Sequence, residues 1–286
     1  MKNKLMEMMD LYLDLLVKND PLNLPVADNL KVTENGYAVQ LGQGLFETAK
    51  EITYRHYIPD PATGQIALFG VVKETMRLAN FLVRLKMEND KITEIETVIV
   101  REGTSSVARP DKLKEPKPIY GQILAPSERS PRDKMIAIAE SYFNSIENNT
   151  ADVPFHPECN RTANGQQTTN SGPVPLSCIG QFEKKIFPYI TKVRNRRYLI
   201  VDEEKGLVFG IFMMDVPGEK EHFDLFPIPM DKLPVHMVTP HTIFLAELFK
   251  IVNYAKANDL KRICEKEVPP LHDMVREGYR CSQIFN

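Results

Sequence analysis

The chain has 286 residues, 36 basic against 38 acidic side chains, and a hydrophobic share of 43%. That length and apolar content can bury a sizeable core as one domain or two. The near-neutral balance, with no basic run beyond RNRR at 194–197, excludes the electrostatic footprint of a nucleic-acid or anionic-membrane binder.

The amino terminus MKNKLMEMMDLYLDLL carries Glu7, Asp10 and Asp14 through its apolar positions. Apolar stretches such as GLVFGIFMM at 206–214 fall short of the ~20 residues a bilayer crossing needs. A soluble, unexported, cytoplasmic protein is the expectation. Cys159, Cys178, Cys264 and Cys281 show no C-x-x-C spacing and are expected as free thiols. His156, His222, His236, His241 and His272 lack ligand spacing, so no metal is expected. GQG at 42–44 lacks the strand-to-helix context of a phosphate loop, and no cofactor is expected.

Apolar residues at three- and four-residue spacing predict a first helix over 3–18. ENG at 34–36 then signals a tight hairpin, with Glu34 either a solvated turn residue or a base at a cavity mouth. YRHYIPDPATGQIALFG (54–70) reads as strand, Asp-to-Gly turn and apolar strand, and two further strands follow in 77–103. The Pro-, Ser- and charge-rich segment 104–131 reads as a linker.

The signals then recur. A second helix is predicted over 132–148, ANG closes a loop at 163–165, and RRYLIVDEEKGLVFGIFMM (196–214) repeats the strand–turn–strand pattern. At constant offset Arg55 meets Arg197, Asp60 meets Asp202 and Gly64 meets Gly206, while Tyr12 meets Tyr142 and Asn35-Gly36 meets Asn164-Gly165. Downstream, IFLAELFKIVNYAKANDLKRICEKEV (243–268) echoes 77–103. Three matches in one order predict two tandem α+β copies, 1–103 and 132–286, each a helix followed by an antiparallel sheet.

Strand alternation sets Tyr54, His56 and Ile58 on one face and Arg55 and Tyr57 on the other, so Arg55 and His56 share a face only across a bulge. Tyr54 and His56 would give a cavity proton-transfer groups; Arg55 would give it an anion clamp. The RNRR run splits the same way, Arg194, Arg196 and Tyr198 against Asn195 and Arg197. Arg55 and Arg197, kept in both halves, suit either a carboxylate ligand or a structural ion pair. CNRTANGQQTTN (159–170) packs Arg161, Asn170 and other hydrogen-bonding groups into a loop that either satisfies its own backbone or orients a polar ligand. Asp215 and His241 are the acid–base candidates of the second half.

The Y-R-H-Y…D-P-x-x-G stretch and the K-I-x-E-I-E strand resemble the SnoaL-like, nuclear-transport-factor-2-like (NTF2-like) superfamily. C-x-R-x-x-N-G-x-x-T-T-N (159–170) and V-R-N-R-R-Y-x-x-V-D-E-E-x-G (193–206) are similar to motifs of an uncharacterised tandem-repeat group of bacterial and fungal proteins within it. The resemblance implies cone-shaped domains, each a curved sheet closed by helices around a pocket, packed as an internal pseudo-dimer. It also implies a small hydrophobic carbonyl compound as partner, handled by an isomerase, cyclase, dehydratase or lyase with His56, Asp215 and His241 as proton carriers. Tyr54, Arg55, Arg161, Asn170, Arg194 and Arg197 would then bind the ligand. The alternative is a non-catalytic binding or assembly module, and either form is open to further homo-oligomerisation.

Overall fold

The computed structural model describes residues 1–102, 108–157, 159–172, 175–219, 230–233, 235–253 and 279–283. These divide into two compact units, the first built on the described residues of 1–117 with 163–166 and 279–281, the second on the other described residues. No helix among the described residues is long and apolar enough to cross a membrane.

The first unit opens on helix α1 (Lys2–Lys18), whose buried Leu5, Met9, Tyr12, Leu13 and Leu16 recur at helical spacing on one side. Asn19 ends it in the left-handed conformation, its backbone N–H donating to the carbonyls of Leu15 and Leu16. Then come β1 (Val26–Glu34), β2 (Tyr37–Ala38), the short helix α2 (Leu45–Thr48), and the meander β3 (Ala49–Asp60), β4 (Gln65–Glu74), β5 (Leu78–Glu88) and β6 (Lys91–Arg101). Asn35 and Gly36 both have positive φ, as the predicted two-residue hairpin turn requires. The Asp60 carboxylate accepts from the Ala62 amide to close the Asp-to-Gly turn.

The six strands lie in the order β2-β1-β6-β5-β4-β3. One pair departs from the antiparallel expectation: β1 runs parallel to β6, with Thr33 opposite Glu96. The chain leaves β2 at one edge and re-enters as β3 at the other, so the four-strand meander returns its last strand alongside the first. Register shifts in β1, β3 and β5–β6 bend the sheet.

Helix α1 covers the face bearing Ile66, Leu68, Val72, Phe81, Val83, Leu85, Ile95 and Ile99. On the opposite face Ile58, Phe69, Val71, Leu82, Val98 and Val100 are buried as well. Gly70 lies opposite Phe81, and a Cβ there would meet the Phe81 ring at 2.3 Å. Gly70→Ala is therefore expected to lower stability by about 1–3 kcal/mol through overpacking, read in urea unfolding. An unchanged midpoint would mean the ring yields without strain.

The second unit begins with α3 (Pro118–Gly121) and α4 (Arg132–Asn148), the latter ended by Asn149 in the same left-handed conformation as Asn19. The stretch expected as a linker, 104–131, holds α3 and short helical turns at Pro110–Lys112 and Pro126–Glu128, and its Tyr120 and Leu124 are buried despite the lack of periodicity. β7 (Thr162–Ala163) and β8 (Gln166–Gln167) flank the Asn164-Gly165 turn, whose residues 163–166 are the ones grouped with the first unit. After α5 (Cys178–Glu183) come β9 (Lys192–Asp202), β10 (Leu207–Val216), α6 (Val235–Val238), β11 (His241–Lys250) and β12 (Tyr279–Gln283), forming a sheet in the order β12-β11-β10-β9. The strand expected within 243–268 is seen to Lys250; residues 254–268, with Cys264, lie outside the described residues, as do His222 and His272. Cys159 and Cys178 are free and buried.

Candidate functional site

Polar side chains converge on the α1 face of the first unit, at the end of the sheet where β6 finishes. Alternation puts Glu74 in line with Ile66, Leu68 and Val72, and puts Thr97 and Arg101 in line with Ile95 and Ile99. Glu34 is the register partner of Thr97. From α2, Thr48 Oγ1 donates to Glu74 Oε1 at 2.6 Å. Arg101 grips Glu74 bidentately, Nε to Oε2 at 2.8 Å and Nη2 to Oε1 at 2.9 Å. The Leu45 amide donates to Glu34 Oε2 at 2.9 Å, and the buried Tyr12 of α1 shares a hydrogen bond with the Thr97 side chain.

The two carboxyls differ sharply in environment. Burial pushes Glu34 above the usual carboxylate range; the Leu45 amide and the Arg101 charge oppose this, and the charges of Glu74 and Glu47 add to it. Glu74 is also pushed up by burial, but the hydrogen bonds from Arg101 and Thr48 outweigh that and hold it below the usual range. Burial raises Tyr12 strongly, so it stays a phenol. The cluster therefore sets two carboxyls of opposite tendency on one sheet face, Glu34 favouring its proton and Glu74 held ionised, with the Tyr12 phenol within reach of the Glu34 charge.

Of these groups the sequence reading weighed only Glu34. The others come from four elements far apart in the chain, and their signal is a polar residue standing on an apolar parity: Glu74 after Val72, and Thr97 between Ile95 and Ile99.

The expected site residues fall elsewhere. Tyr54 and His56 are buried on the face opposite α1, paired with Val71 and Phe69. Arg55 faces the helix, with Nη1 3.7 Å from Asp10, and the Tyr57 hydroxyl donates to the same carboxylate. Asp215 is bound by Arg194 through Nε at 2.8 Å and Nη2 at 3.1 Å, and the Thr242 hydroxyl donates to it at 2.7 Å. Burial pushes Asp215 up, but Arg194 and Thr242 hold its carboxyl below the usual range. His241 pairs with Val216 while Asp215 pairs with Thr242, so His241 and Asp215 lie on opposite faces and do not meet. The Nδ1 atom of His241 lies 2.7 Å from the Thr239 carbonyl.

Arg161 is bound within its own loop: Nε donates to Thr168 at 2.9 Å, its amide to Thr169 at 2.7 Å, and its guanidinium lies 5.0 Å over the Phe187 ring. Asn170 Nδ2 donates to Asn160 at 2.9 Å.

The pairing of Arg55 with Arg197 shifts by one residue. Register passes from Ile200–Phe209 to Tyr198–Gly210, so a bulge at Leu199 breaks the constant offset. Tyr198 thus takes the place of Tyr57, and Arg196 that of Arg55. Both bind Glu140 of α4, as Arg55 and Tyr57 bind Asp10 of α1. A second irregularity at Asn195, which has φ 51°, separates Arg194 from Arg196. The exposed Arg197 falls in line with His56.

The acidic pair is not repeated. The Asn-Gly turns align Ala163 with Glu34, and the Asp-to-Gly turns align Val216 with Glu74. Arg161 Nη1 lies 3.4 Å from the Tyr142 hydroxyl, giving that tyrosine a cation for a neighbour where Tyr12 has an acid. The helix face of the second unit is filled by Tyr142, Phe143, Phe182, Phe212 and Phe249. A small apolar cleft there is lined by Ile138, Val153, Phe155, Phe249 and Lys250. Burial brings the Lys250 ammonium down to about 8, and it donates to the Lys205 carbonyl. Among the described residues no group of three or more His, Cys, Asp or Glu is placed to hold a metal.

Taken together, these elements define a mixed α+β protein of bent sheets, each faced by a long amphipathic helix. The chain belongs to the family described as "Domain of unknown function (DUF8021)", whose model matches residues 1–99 and 128–263. A search of curated proteins returned no match. Solved structures similar to it include a de novo designed protein with a curved β-sheet, at 12% identity and TM-score 0.31, covering 35% of this chain and 88% of that one. The "Putative Isomerase from Bacillus subtilis" gives 5% identity and TM-score 0.29, covering 34% and 87%. The de novo designed NTF2 fold protein NT-9 gives 13% identity and TM-score 0.28, covering 35% and 87%. At these scores the likenesses carry no functional weight.

Proposed function

We propose that the first unit is a cofactor-independent proton-transfer site for a small hydrophobic carbonyl compound, of the isomerase, cyclase, dehydratase or lyase type. What supports this is the setting of two carboxyls on one sheet face: Arg101 and Thr48 grip Glu74 while the Leu45 amide meets the part-buried Glu34, and these surroundings drive their affinities for a proton apart. Glu34 is the proton carrier. For a β,γ-unsaturated ketone, its carboxylate takes a proton from the carbon between carbonyl and double bond. The electron pair moves into the carbonyl, whose oxygen accepts a hydrogen bond from the Tyr12 hydroxyl, and Glu34 returns the proton at the γ carbon. Atoms and electrons balance without an oxidant. Arg101 and Glu74 act as positioning residues. No step is given to His56, Asp215 or His241. The test is conversion of cyclohex-3-enone to its conjugated isomer, followed by ultraviolet absorbance.

A second reading applies to the second half, where Ala163 and Val216 replace the acids and aromatic rings fill the helix face. It is a non-catalytic binding or assembly module. That both halves descend from one NTF2-like unit is supported by the shared Asn caps, the Asn-Gly turns and the Arg-x-Tyr clamp on a helix acid. An internal pseudo-dimer, further homo-oligomers and a cytoplasmic location belong to the same proposal, and light scattering tests the oligomeric part.

A further inference from the structure

Residues 39–48 join the two edges of the first sheet and carry the segment that meets Glu34. Gln43 donates its amide to the Gln40 carbonyl and its side-chain oxygen accepts from the Gln40 amide, giving the loop a turn of its own. Gly42 and Gly44 both hold positive φ, and a Cβ at Gly44 would meet Glu34 Oε2 at 2.4 Å, so the backbone there lies directly on the carboxylate. Beyond it Leu45 and Phe46 are buried, the Phe46 ring meeting Tyr12 edge-on at 5.6 Å. The Phe46 carbonyl accepts from Asn19, and Thr48 is tied to Glu74. The loop is thus seated by apolar burial and fixed at three polar points, one of which is the proton carrier itself.

Resting on the acid–base reading of Glu34, we propose that residues 39–48 form a lid latched by the ionised Glu34 carboxylate and loosened when that carboxyl takes up a proton. A hydrogen bond to a charged acceptor is about twice as strong as one to a neutral acceptor, so the Leu45–Glu34 bond weakens on protonation. The groups facing Glu34 do not replace it. Tyr12 on α1 stays a phenol, Glu47 on α2 and Glu74 on β4 are acidic, Thr97 is neutral, and the Arg101 cation on β6 is held by Glu74. Because Leu45 and Phe46 remain buried, the closed lid dominates in both protonation states and the latch tunes a minority open state.

The test is amide hydrogen exchange of residues 40–48 in the full-length protein, corrected for the intrinsic pH dependence of exchange. Protection of the Leu45 amide is expected to fall about 5- to 10-fold as the pH drops through the Glu34 titration, while β4 and β5 amides hold steady. Glu34→Gln should start at the low level and show no pH dependence. Equal protection at both pH values, or full protection in Glu34→Gln, overturns the latch. Enone isomerisation read in parallel separates the two ideas. Isomerisation lost in Glu34→Gln with the lid unmoved removes the latch and keeps the proton carrier; a lid that responds in a protein without isomerisation does the reverse.

Discussion

Glu34→Gln is expected to lower the isomerisation rate of cyclohex-3-enone by about 10²- to 10⁴-fold, the usual contribution of a positioned general base. Glutamine keeps the size of the side chain and an oxygen for the Leu45 amide, so the loss reports on proton transfer and not on collapse of the site. Stability supplies the control. Because folding raises the affinity of Glu34 for its proton, its contribution is fully present below its unfolded pKa and lost as pH rises through its folded one. At neutral pH Glu34→Gln should therefore be at least as stable as the wild type, with the difference closing on acidification. A variant that keeps its rate would remove Glu34 from the chemistry.

Arg84→Ala is expected to cost the first unit about 3–5 kcal/mol, because it removes a buried cation and strands its acidic partners Glu94 and Glu96. The guanidinium, 3% exposed, donates to Gln65 at 2.7 Å, to Glu96 at 3.2 and 3.1 Å, and to Glu94 at 2.5 Å. Glu96 is itself buried. Replacing Arg84 and Glu96 together by leucine should recover most of the loss, since the cost lies in the uncompensated charge more than in the absent pair. Denaturant unfolding of the single and double variants reads both effects. A single variant within about 0.5 kcal/mol of wild type would show the network to be energetically idle.

Much of this architecture was legible in the sequence. The helices, the Asn-Gly turns and the Asp-to-Gly turns are local signals, set by apolar spacing and by residues that tolerate positive φ. Alternation likewise placed Tyr54 and His56 together and Arg55 apart. The parallel β1–β6 pair was not legible, because it depends on where a long crossing sets the first strand down. Nor were the bulges at Leu199 and Asn195, each one residue long, the first of which moves Arg196 into the role assigned to Arg197. The candidate site was hidden for a related reason. Conspicuous residues such as His56, Asp215 and Arg161 drew attention as chemistry, yet Asp215 and Arg161 are taken up by internal partners. Glu34 and Glu74 looked like a turn residue and a strand end, and only the folded sheet sets both on the face that α1 covers.

Folding sets the proton affinities of Glu34 and Glu74 apart, and carboxyl-carbon NMR of isotopically labelled protein, titrated from acidic to neutral pH, reads both directly. Glu34 is expected to lose its proton above the ordinary glutamate range and Glu74 below it. A Glu34 that titrates with or below Glu74 would remove it as the proton carrier.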